Sequence, residues 1–191
     1  TNTTGLLVWL FRQFDIPVSY SIGSNISFGP SSAYQEDSEY FVYEADEFDR
    51  NFLHFKPFAS LITSADYDHP DTYPTIEDYK QAFAKFASIS NQVITWRSVA
   101  DYAELSSDNL STLPDDTNVL DVGISLIGEH TRRNAYLALV LFEKLFPTKT
   151  RQQIIAAINE YPGTERRLEK IATNIYSDYA HHPVEVAATI A

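Results

Sequence analysis

The sequence contains no cysteine and no methionine, and the first of these absences narrows the chemistry that the protein can perform. Without cysteine there are no disulfides, no cysteine-ligated zinc or iron–sulfur clusters and no thiol nucleophile. Glycine is scarce as well, with six residues in the chain, and neither common glycine-rich nucleotide-binding motif is complete. The missing initiator methionine predicts that the chain is a fragment or a trimmed form.

Basic residues are few and apolar runs are short. The chain has 14 Lys and Arg residues against 26 Asp and Glu residues, a formal net charge of −12. We expect no nucleic-acid partner, because binding to phosphate backbones requires clustered Lys and Arg. We expect no membrane partner, because no run approaches the roughly 18 apolar residues of a transmembrane helix and no signal peptide is visible. With 44% hydrophobic residues, the chain can nevertheless bury a sizeable core.

Apolar runs alternate with segments of helical periodicity, which predicts an α/β fold. Short continuous apolar strands separated by helices favour a mostly parallel sheet flanked by helices on both faces. Residues 24–39 are rich in Ser, Gly, Asn and acidic side chains and predict a loop. The predicted strands lie at 18–22, 40–43, 58–63, 92–95, 119–122 and 171–176, and the predicted helices at 3–14, 76–88, 129–146, 148–161 and from 183 onward.

Acidic side chains follow the predicted strand at 40–43, and a histidine follows the next strand. Glu44, Asp46, Glu47 and Asp49 place four carboxylates within six residues, which repel each other unless they are solvated or paired with a cation. Ligands of such sheets bind at the carboxyl ends of the strands. One of these carboxylates with His69 would make a hard-cation site that also polarises phosphate oxygens. An acidic surface loop and a structural turn at His69 are the open alternatives.

Polar residues in the last third of the chain are candidates for binding a nucleotide. His130 and Asn134 lie four apart on one helix face, and an Asn amide can read the edge of an adenine. The adjacent Arg166 and Arg167 can clamp phosphate or carboxylate. Asp178 follows a predicted strand, where it could bind a ribose hydroxyl. A surface Asn and a solvated Arg pair remain the alternatives.

Both ends of the chain carry a further candidate segment. Residues 1–5 (TNTTG) open a predicted helix, where Thr is a good cap. Thr also follows the Lys of a phosphate-binding loop, where its hydroxyl reaches the metal ion. His181 and His182 precede a proline and could form a helix-capping turn.

Six blocks of sequence occur in a fixed order along the whole chain. They are TNTTG at 1–5, EADEFD at 44–49, DHPDTY at 68–73, GEHTRRNA at 128–135, RRLE at 166–169 and SDYAHHPVEVAATI at 177–190. Each block is weak alone, but together they closely resemble the Mur ligase family, the ATP-dependent amino-acid ligases of peptidoglycan synthesis. The pattern is most similar to the branch that joins L-alanine to UDP-N-acetylmuramate.

The resemblance implies a domain organisation and a reaction. Residues 1–161 would form a central ATPase domain, similar to P-loop NTPases, that lacks its first strand and phosphate loop. Residues 162–191 would be the first strand and helix of a C-terminal Rossmann-like domain. The implied enzyme is cytoplasmic, uses ATP and Mg²⁺, and joins L-alanine to UDP-N-acetylmuramate through an acyl phosphate. Because the phosphate loop is missing, we expect this chain alone to be inactive.

The resemblance also assigns roles to single residues. Glu44 would ligate one magnesium ion and His69 a second, and both would be catalytic. The remaining assignments are Thr1 to the first magnesium, His130 and Asn134 to the adenine, Arg166 or Arg167 to the nucleotide phosphates, Asp178 to the ribose, and His181 and His182 to a turn near the active cleft.

Departures from the family pattern keep three alternatives open. Phe48 and the RRLE block are similar to the murein-tripeptide recycling ligase of the same superfamily, although the short segment 50–57 favours the L-alanine branch. A ligase-derived, non-catalytic binding module could self-associate through surfaces that truncation exposes. An acidic α/β domain without a ligand site would be favoured if Glu44 and His69 were far apart.

Overall fold

The computed structural model describes residues 1–180 and 182–190, which fold into two compact units. The first unit comprises Thr1–Glu44 and Val119–Ala191, and the second comprises Ala45–Asn118. In chain order the elements are α1 (Asn2–Gln13), β1 (Ser19–Ser21), β2 (Ser32–Ala33), β3 (Phe41–Tyr43), a 3₁₀ segment (Phe48–His54), β4 (Ser60–Ile62), α2 (Ile76–Ile89), β5 (Val93–Trp96), α3 (Arg97–Tyr102), β6 (Leu110–Leu113), α4 (Glu129–Leu145), α5 (Arg151–Asn159), β7 (Glu169–Ala172), β8 (Ile175–Ser177) and α6 (Pro183–Ile190).

The core of the first unit lies where α1 packs against α4 and α5. The apolar residues of α1 recur at helical spacing, so that Leu6, Leu10 and Phe11 are buried on one side. The Phe11 ring meets the rings of Phe142 and Phe146 edge-on, with centroids 5.6 and 5.5 Å apart. Burying one such side chain contributes about 1.5–3 kcal/mol. This packing fixes the position of the first residues of α1.

A three-stranded sheet accompanies these helices in the order β2-β1-β3. β1 and β3 are parallel, and their register places Ser21 opposite Tyr43. The Glu44 amide donates to the Ser21 carbonyl at 2.9 Å, which continues the pairing by one residue. Glu44 therefore leaves β3 beside the end of β1, and Gly23 follows two residues after β1 ends.

The second unit is built on the parallel sheet β4-β5-β6, with α2 packed on its core. Every residue of β5 is buried, as expected for the central strand of a covered parallel sheet. Thr75 is the N-cap residue of α2, and its side chain accepts from the Asp78 amide at 3.1 Å. Its buried face contributes Phe83 and Phe86, which pack against the ring of Phe52.

The predicted α/β class with mostly parallel strands is confirmed, and so are the predicted helices near 3–14, 76–88, 129–146 and 183–190. The strand predicted at 119–122 is wrong. These residues form a turn in which the Gly123 amide donates to the Leu120 carbonyl, and Gly123 has a φ of 93°. The third strand of the second sheet is instead β6. It was not predicted because two of its four residues are polar and all four are half-buried.

Three further predictions require correction. The strand predicted at 171–176 is an antiparallel hairpin, β7 and β8, whose turn places Asn174 in the left-handed region at a φ of 61°. The helix predicted from Thr148 is α5, which begins after the N-cap residue Thr150. The Thr150 and Gln153 side chains cap each other's backbone amides.

The loop at 24–39 contains the short strand β2, and the helix α3 was not anticipated. The domain boundary near residue 162 stays a prediction.

No helix within residues 1–180 and 182–190 is long and apolar enough to cross a membrane.

The close approach of α1 to the segment after α5 leads to a stability prediction. A Cβ atom at Gly5 would lie 2.5 Å from Tyr161 Oη and 2.8 Å from Thr164 Cγ2. Tyr161 is buried, and its hydroxyl donates to the Asn2 carbonyl at 3.2 Å, so it has little room to move. We expect Gly5→Ala to lower the free energy of unfolding by up to about 2 kcal/mol. Overpacking costs about 1–3 kcal/mol and exceeds the gain of about 1 kcal/mol from replacing a helical Gly by Ala.

Urea unfolding followed by circular dichroism measures this effect. The matched control is Gln13→Ala, an exposed site in the same helix, which should change the free energy by less than about 0.5 kcal/mol. A Gly5→Ala variant that is more stable than the parent chain would contradict the close packing at Gly5.

Candidate functional site

Two predicted ligands, Thr1 and Glu44, lie in contact at the carboxyl end of β3. The Thr1 hydroxyl donates to Glu44 Oε1 at 2.6 Å, and the Thr1 backbone nitrogen lies 3.0 Å from the same oxygen. The Gly23 amide donates to the other carboxylate oxygen, Oε2, at 2.7 Å. Thr1 occupies the N-cap position of α1, but its hydroxyl makes no capping hydrogen bond. The hydroxyl is therefore used to contact Glu44 and not to cap the helix.

The surroundings of Glu44 favour its ionised form. Burial alone would raise the pKa of the Glu44 carboxyl, but the positive charge on the Thr1 nitrogen of this chain and the hydrogen bonds from Thr1 and Gly23 outweigh burial and hold that pKa below its ordinary value. The carboxylate is thus charged at neutral pH. A carboxylate and a hydroxyl oxygen side by side are the hard oxygen ligands that Mg²⁺ prefers. This pair fits a magnesium ion, although its role as a ligand pair stays a prediction.

Gly23 belongs to this site, although the sequence showed it only as the end of a strand. A Cβ atom there would lie 3.0–3.2 Å from the Glu44 carboxylate. A side chain at this position would therefore press on the carboxylate that the backbone amide holds. The only signal in the sequence was a Gly directly after a predicted strand, and the parallel register that brings it to Glu44 was not predictable from spacing.

His69 lies in the second unit, in a tight turn after β4. The His69 carbonyl accepts from the Thr72 and Tyr73 amides, both at 2.9 Å, and His69 itself adopts a φ of 57°. Its ring nitrogen Nε2 is 3.4 Å from Glu47 Oε1 and 3.9 Å from Asp68 Oδ2. The structure therefore brings His69 together with Glu47, a carboxylate from the same acidic segment as Glu44.

Glu47 is more enclosed than a residue of a surface loop would be. Burial is the main cause that raises the pKa of Glu47 above its ordinary value, and the approach of His69 opposes this shift only in part. The Tyr73 hydroxyl donates to the Glu47 carbonyl at 2.6 Å. Burial raises the pKa of Tyr73 to about 12, so this hydroxyl keeps its proton. The acidic segment after β3 is thus partly built into the second unit.

Within the described residues, no three His, Asp or Glu side chains come together as a metal site. Glu44 belongs to the first unit and His69 to the second, so their predicted shared role stays a prediction. The alternative of a domain without a ligand site therefore remains open on this criterion.

The predicted adenine residues lie at the start of α4. The His130 ring nitrogen Nδ1 is 3.1 Å from the Ala188 carbonyl of α6, so this ring joins the two helices. Asn134 follows one turn later and is half-buried. The contact with Ala188 involves one ring nitrogen and leaves Nε2 as the atom of His130 that could face a ligand. The role of both residues in binding adenine stays a prediction.

The two arginines lie beside an aromatic ring in the segment that surrounds the β7–β8 hairpin. The guanidinium carbons of Arg166 and Arg167 are 4.7 and 5.8 Å from the centre of the Tyr179 ring. These distances are typical of cation–π contacts. The structure therefore holds the pair together through Tyr179, and their predicted contact with phosphate is not tested.

Asp178 connects the hairpin to α6. Its carboxylate accepts from the Leu168 amide at 2.8 Å and from the Ala180 amide at 2.7 Å, and the Thr189 hydroxyl lies 3.4 Å away. This carboxylate organises the chain locally, and its role in binding a ribose stays a prediction. His182 Nδ1 accepts from the Val184 amide at 3.4 Å, so this ring faces the first turn of α6. His181 lies outside the described residues.

The contact between Gly23 and Glu44 predicts a change in acidity. Replacing Gly23 by Ala should displace the carboxylate and weaken the hydrogen bond to Oε2. Because a hydrogen bond to the ionised form lowers a carboxyl pKa, we expect Gly23→Ala to raise the pKa of Glu44 toward its ordinary value. A titration followed by ¹³C NMR of the Glu44 carboxyl carbon measures it.

Gly29→Ala is the matched control, since a Cβ atom there would meet Arg12 and Tyr20 and not Glu44. It should leave the pKa of Glu44 unchanged. Equal Glu44 pKa values in the parent chain and in Gly23→Ala would show that the Gly23 amide does not hold the carboxylate.

Comparison with known proteins finds relatives over the full length of the chain. No family model matches it. UDP-N-acetylmuramate–L-alanine ligases of Levilactobacillus brevis and Leuconostoc mesenteroides are 31% and 32% identical, cover 100% of the chain, and are each themselves covered to 48%. The corresponding ligase of Salinispora arenicola is 30% identical and covered to 44%. The chain thus spans about half the length of the curated relatives it matches.

Solved structures agree at the level of the fold. UDP-N-acetylmuramate-alanine ligase of Thermotoga maritima matches with a TM-score of 0.79 at 23% identity, over 98% of this chain and 50% of that one. A murein peptide ligase of Psychrobacter arcticus matches with a TM-score of 0.63 at 21% identity, over 98% of this chain and 51% of that one. The predicted fold is confirmed.

Proposed function

Because the chain belongs to the Mur ligase family, we propose that the protein is an ATP-dependent ligase of peptidoglycan precursor synthesis that joins L-alanine to UDP-N-acetylmuramate. The curated relatives described above carry this activity in their names. The structural observation that carries the proposal is the contact of the Thr1 hydroxyl with the Glu44 carboxylate at the end of β3.

Thr1 and Glu44 would hold a magnesium ion, and Gly23 would fix the direction of the carboxylate. When bound, the magnesium ion would offset negative charge among the nucleotide phosphates and the substrate carboxylate. Because the Gly23 amide and the α1 packing set the Glu44 position in advance, little rearrangement is needed when the ion binds. A charged group that is already oriented requires less reorganisation free energy on binding than one that must first be ordered.

The reaction requires an activated carboxylate, since a free carboxylate is a poor electrophile. In the first proposed step the muramyl carboxylate attacks the γ-phosphorus of ATP. An acyl phosphate forms and ADP leaves. The amine of L-alanine then attacks the acyl carbon and expels phosphate as the amide forms. The residues proposed to orient the nucleotide are His130 and Asn134 for the adenine, Arg166 or Arg167 for the phosphates, Asp178 for the ribose, and His69 for a second magnesium ion.

Release of phosphate from ATP tests this function in the protein as its gene encodes it. We expect release that requires magnesium, UDP-N-acetylmuramate and L-alanine together. Glu44→Ala should reduce kcat at least about 100-fold, because loss of a ligand should exceed the 10–100-fold effect of outer-shell changes. The matched control is Glu36→Ala, which removes an exposed carboxylate from the loop before β3 and should leave kcat unchanged. An unchanged kcat in Glu44→Ala would contradict the proposed site.

A murein-peptide recycling ligase is the second candidate. Phe48 and the RRLE block favour it, and a ligase whose name specifies UDP-N-acetylmuramate and an L-alanyl-γ-D-glutamyl-meso-diaminopimelate tripeptide has a similar fold. The same assay separates the two candidates, because the tripeptide replaces L-alanine as the amine. Phosphate release with the tripeptide and not with L-alanine would replace the first proposal by this one.

A non-catalytic binding module is the third candidate, which exposed apolar side chains near the end of the chain favour. Ile171 and Ile175 of the hairpin and Ile190 of α6 are exposed by 60%, 53% and 80%. This candidate predicts no phosphate release with either amine, together with self-association in sedimentation velocity. Release with either amine would exclude it.

A further inference from the structure

The ring of His69 has a defined orientation in the second unit. Its Nε2 atom lies 3.4 Å from Glu47 Oε1, with Asp68 Oδ2 farther away at 3.9 Å. The ring of Phe48 meets the His69 ring edge-on, with centroids 5.2 Å apart. One edge of the imidazole is therefore occupied by a carboxylate, and an aromatic ring limits its rotation.

Glu47 is held from several sides and can therefore act as a support. Its carbonyl accepts from Tyr73 Oη at 2.6 Å, and the Arg50 amide donates to the same carbonyl at 3.0 Å. The backbone before it is fixed as well, because the Phe52 amide donates to the Asp46 carbonyl at 2.8 Å. The side chains of His69 and Glu47 are exposed by only 29% and 30%. Because the backbone of Glu47 is fixed by these hydrogen bonds, its carboxylate can hold an imidazole ring without a large movement of the chain.

The other ring nitrogen of His69, Nδ1, accepts or donates no hydrogen bond among residues 1–180 and 182–190. A histidine that ligates a metal usually donates the N–H of its second nitrogen to a carboxylate, which fixes both the ring and its tautomer. His69 Nε2 and Glu47 Oε1 lie 3.4 Å apart, which is close enough for a small ring rotation to form such a pair. Asp68 is the weaker candidate for this support, because its oxygen is farther from Nε2.

We propose that Glu47 is a positioning residue that holds the ring of His69 with Nε2 toward the protein and Nδ1 toward the ligand. The inference rests on the proposed function for the statement that His69 binds magnesium. The orientation of the ring rests on the contacts of Glu47, Phe48 and Tyr73 alone. The sequence placed Glu47 in the acidic segment after β3 without distinguishing it from its neighbours.

The NMR spectrum of the histidine ring protons tests the orientation without any ligand. In the protein as its gene encodes it, the His69 signals are identified by their loss in His69→Ala. Because the Phe48 ring lies edge-on, we expect these signals to be displaced from those of an exposed histidine. Glu47→Ala should return them toward exposed values, whereas Glu47→Gln, which keeps an acceptor oxygen, should retain most of the displacement. Asp68→Asn is the matched control and should retain it as well.

Calorimetry with magnesium and ATP measures the consequence for binding. We expect Glu47→Ala to weaken binding about tenfold, at the lower end of the effect of outer-shell residues on metal affinity. Glu47→Gln should restore most of the loss, and Asp68→Asn should remain within about twofold of the parent protein.

Three outcomes separate the possible failures. Unchanged His69 signals in Glu47→Ala would overturn the positioning role. Equal losses of affinity in Glu47→Gln and Glu47→Ala would also overturn it, because Glu47 would then contact the ligand directly. If Glu47→Ala moves the ring signals while His69→Ala leaves the affinity unchanged, the positioning of the ring stands and the proposed role of His69 in the ligase fails.

Discussion

The hydrogen bond between the Thr1 hydroxyl and the Glu44 carboxylate joins the beginning of α1 to the end of β3, and the account of the site depends on it. It forms only if the apolar face of α1 packs correctly and if β3 pairs with β1 in the observed register. A slip of one residue would turn Glu44 to the other face of the sheet. The position of one carboxylate thus depends on the core of the whole first unit.

The acidic character of the chain also has a structural explanation. Carboxylates that lie close together in sequence raise each other's energy, and this chain gives several of them individual donors. Glu44 receives the Gly23 amide, Asp178 receives two amides, and Glu47 faces His69. Carboxylates held by defined donors are oriented, and their role as a binding site stays a prediction.

The fold was predictable where the pattern of buried residues is strong. The helices α1, α2 and α4 each bury one apolar face, and β5 is continuously buried, so their predictions are confirmed. The strand β6 was missed because two of its four residues are polar and all are half-buried. The apolar residues at 119–122 led to the prediction of a strand that is not there, because Leu120 is exposed and the chain turns at Gly123. Whether β6 and residues 119–122 form strands depends on pairing with distant strands, and a local sequence pattern does not contain that information.

The candidate site divides in the same way. The six ordered blocks pointed to Thr1 and Glu44, and the structure brings these two side chains together. The supporting contacts of Gly23, Phe48 and Tyr73 could not be predicted from sequence, since they depend on strand register and on a turn with a left-handed residue at His69. Resemblance to a family therefore predicted which side chains would touch a ligand, and the structure identified the groups that hold Glu44 and surround His69.

A crystal structure of the protein as its gene encodes it, with magnesium and a non-hydrolysable ATP analogue, tests the central claim most directly. We expect a magnesium ion about 2.0–2.1 Å from Thr1 Oγ1 and from a carboxylate oxygen of Glu44. In that structure the ion would replace the direct contact between the two side chains. A bound nucleotide whose magnesium ion touches neither Thr1 nor Glu44 would contradict the account.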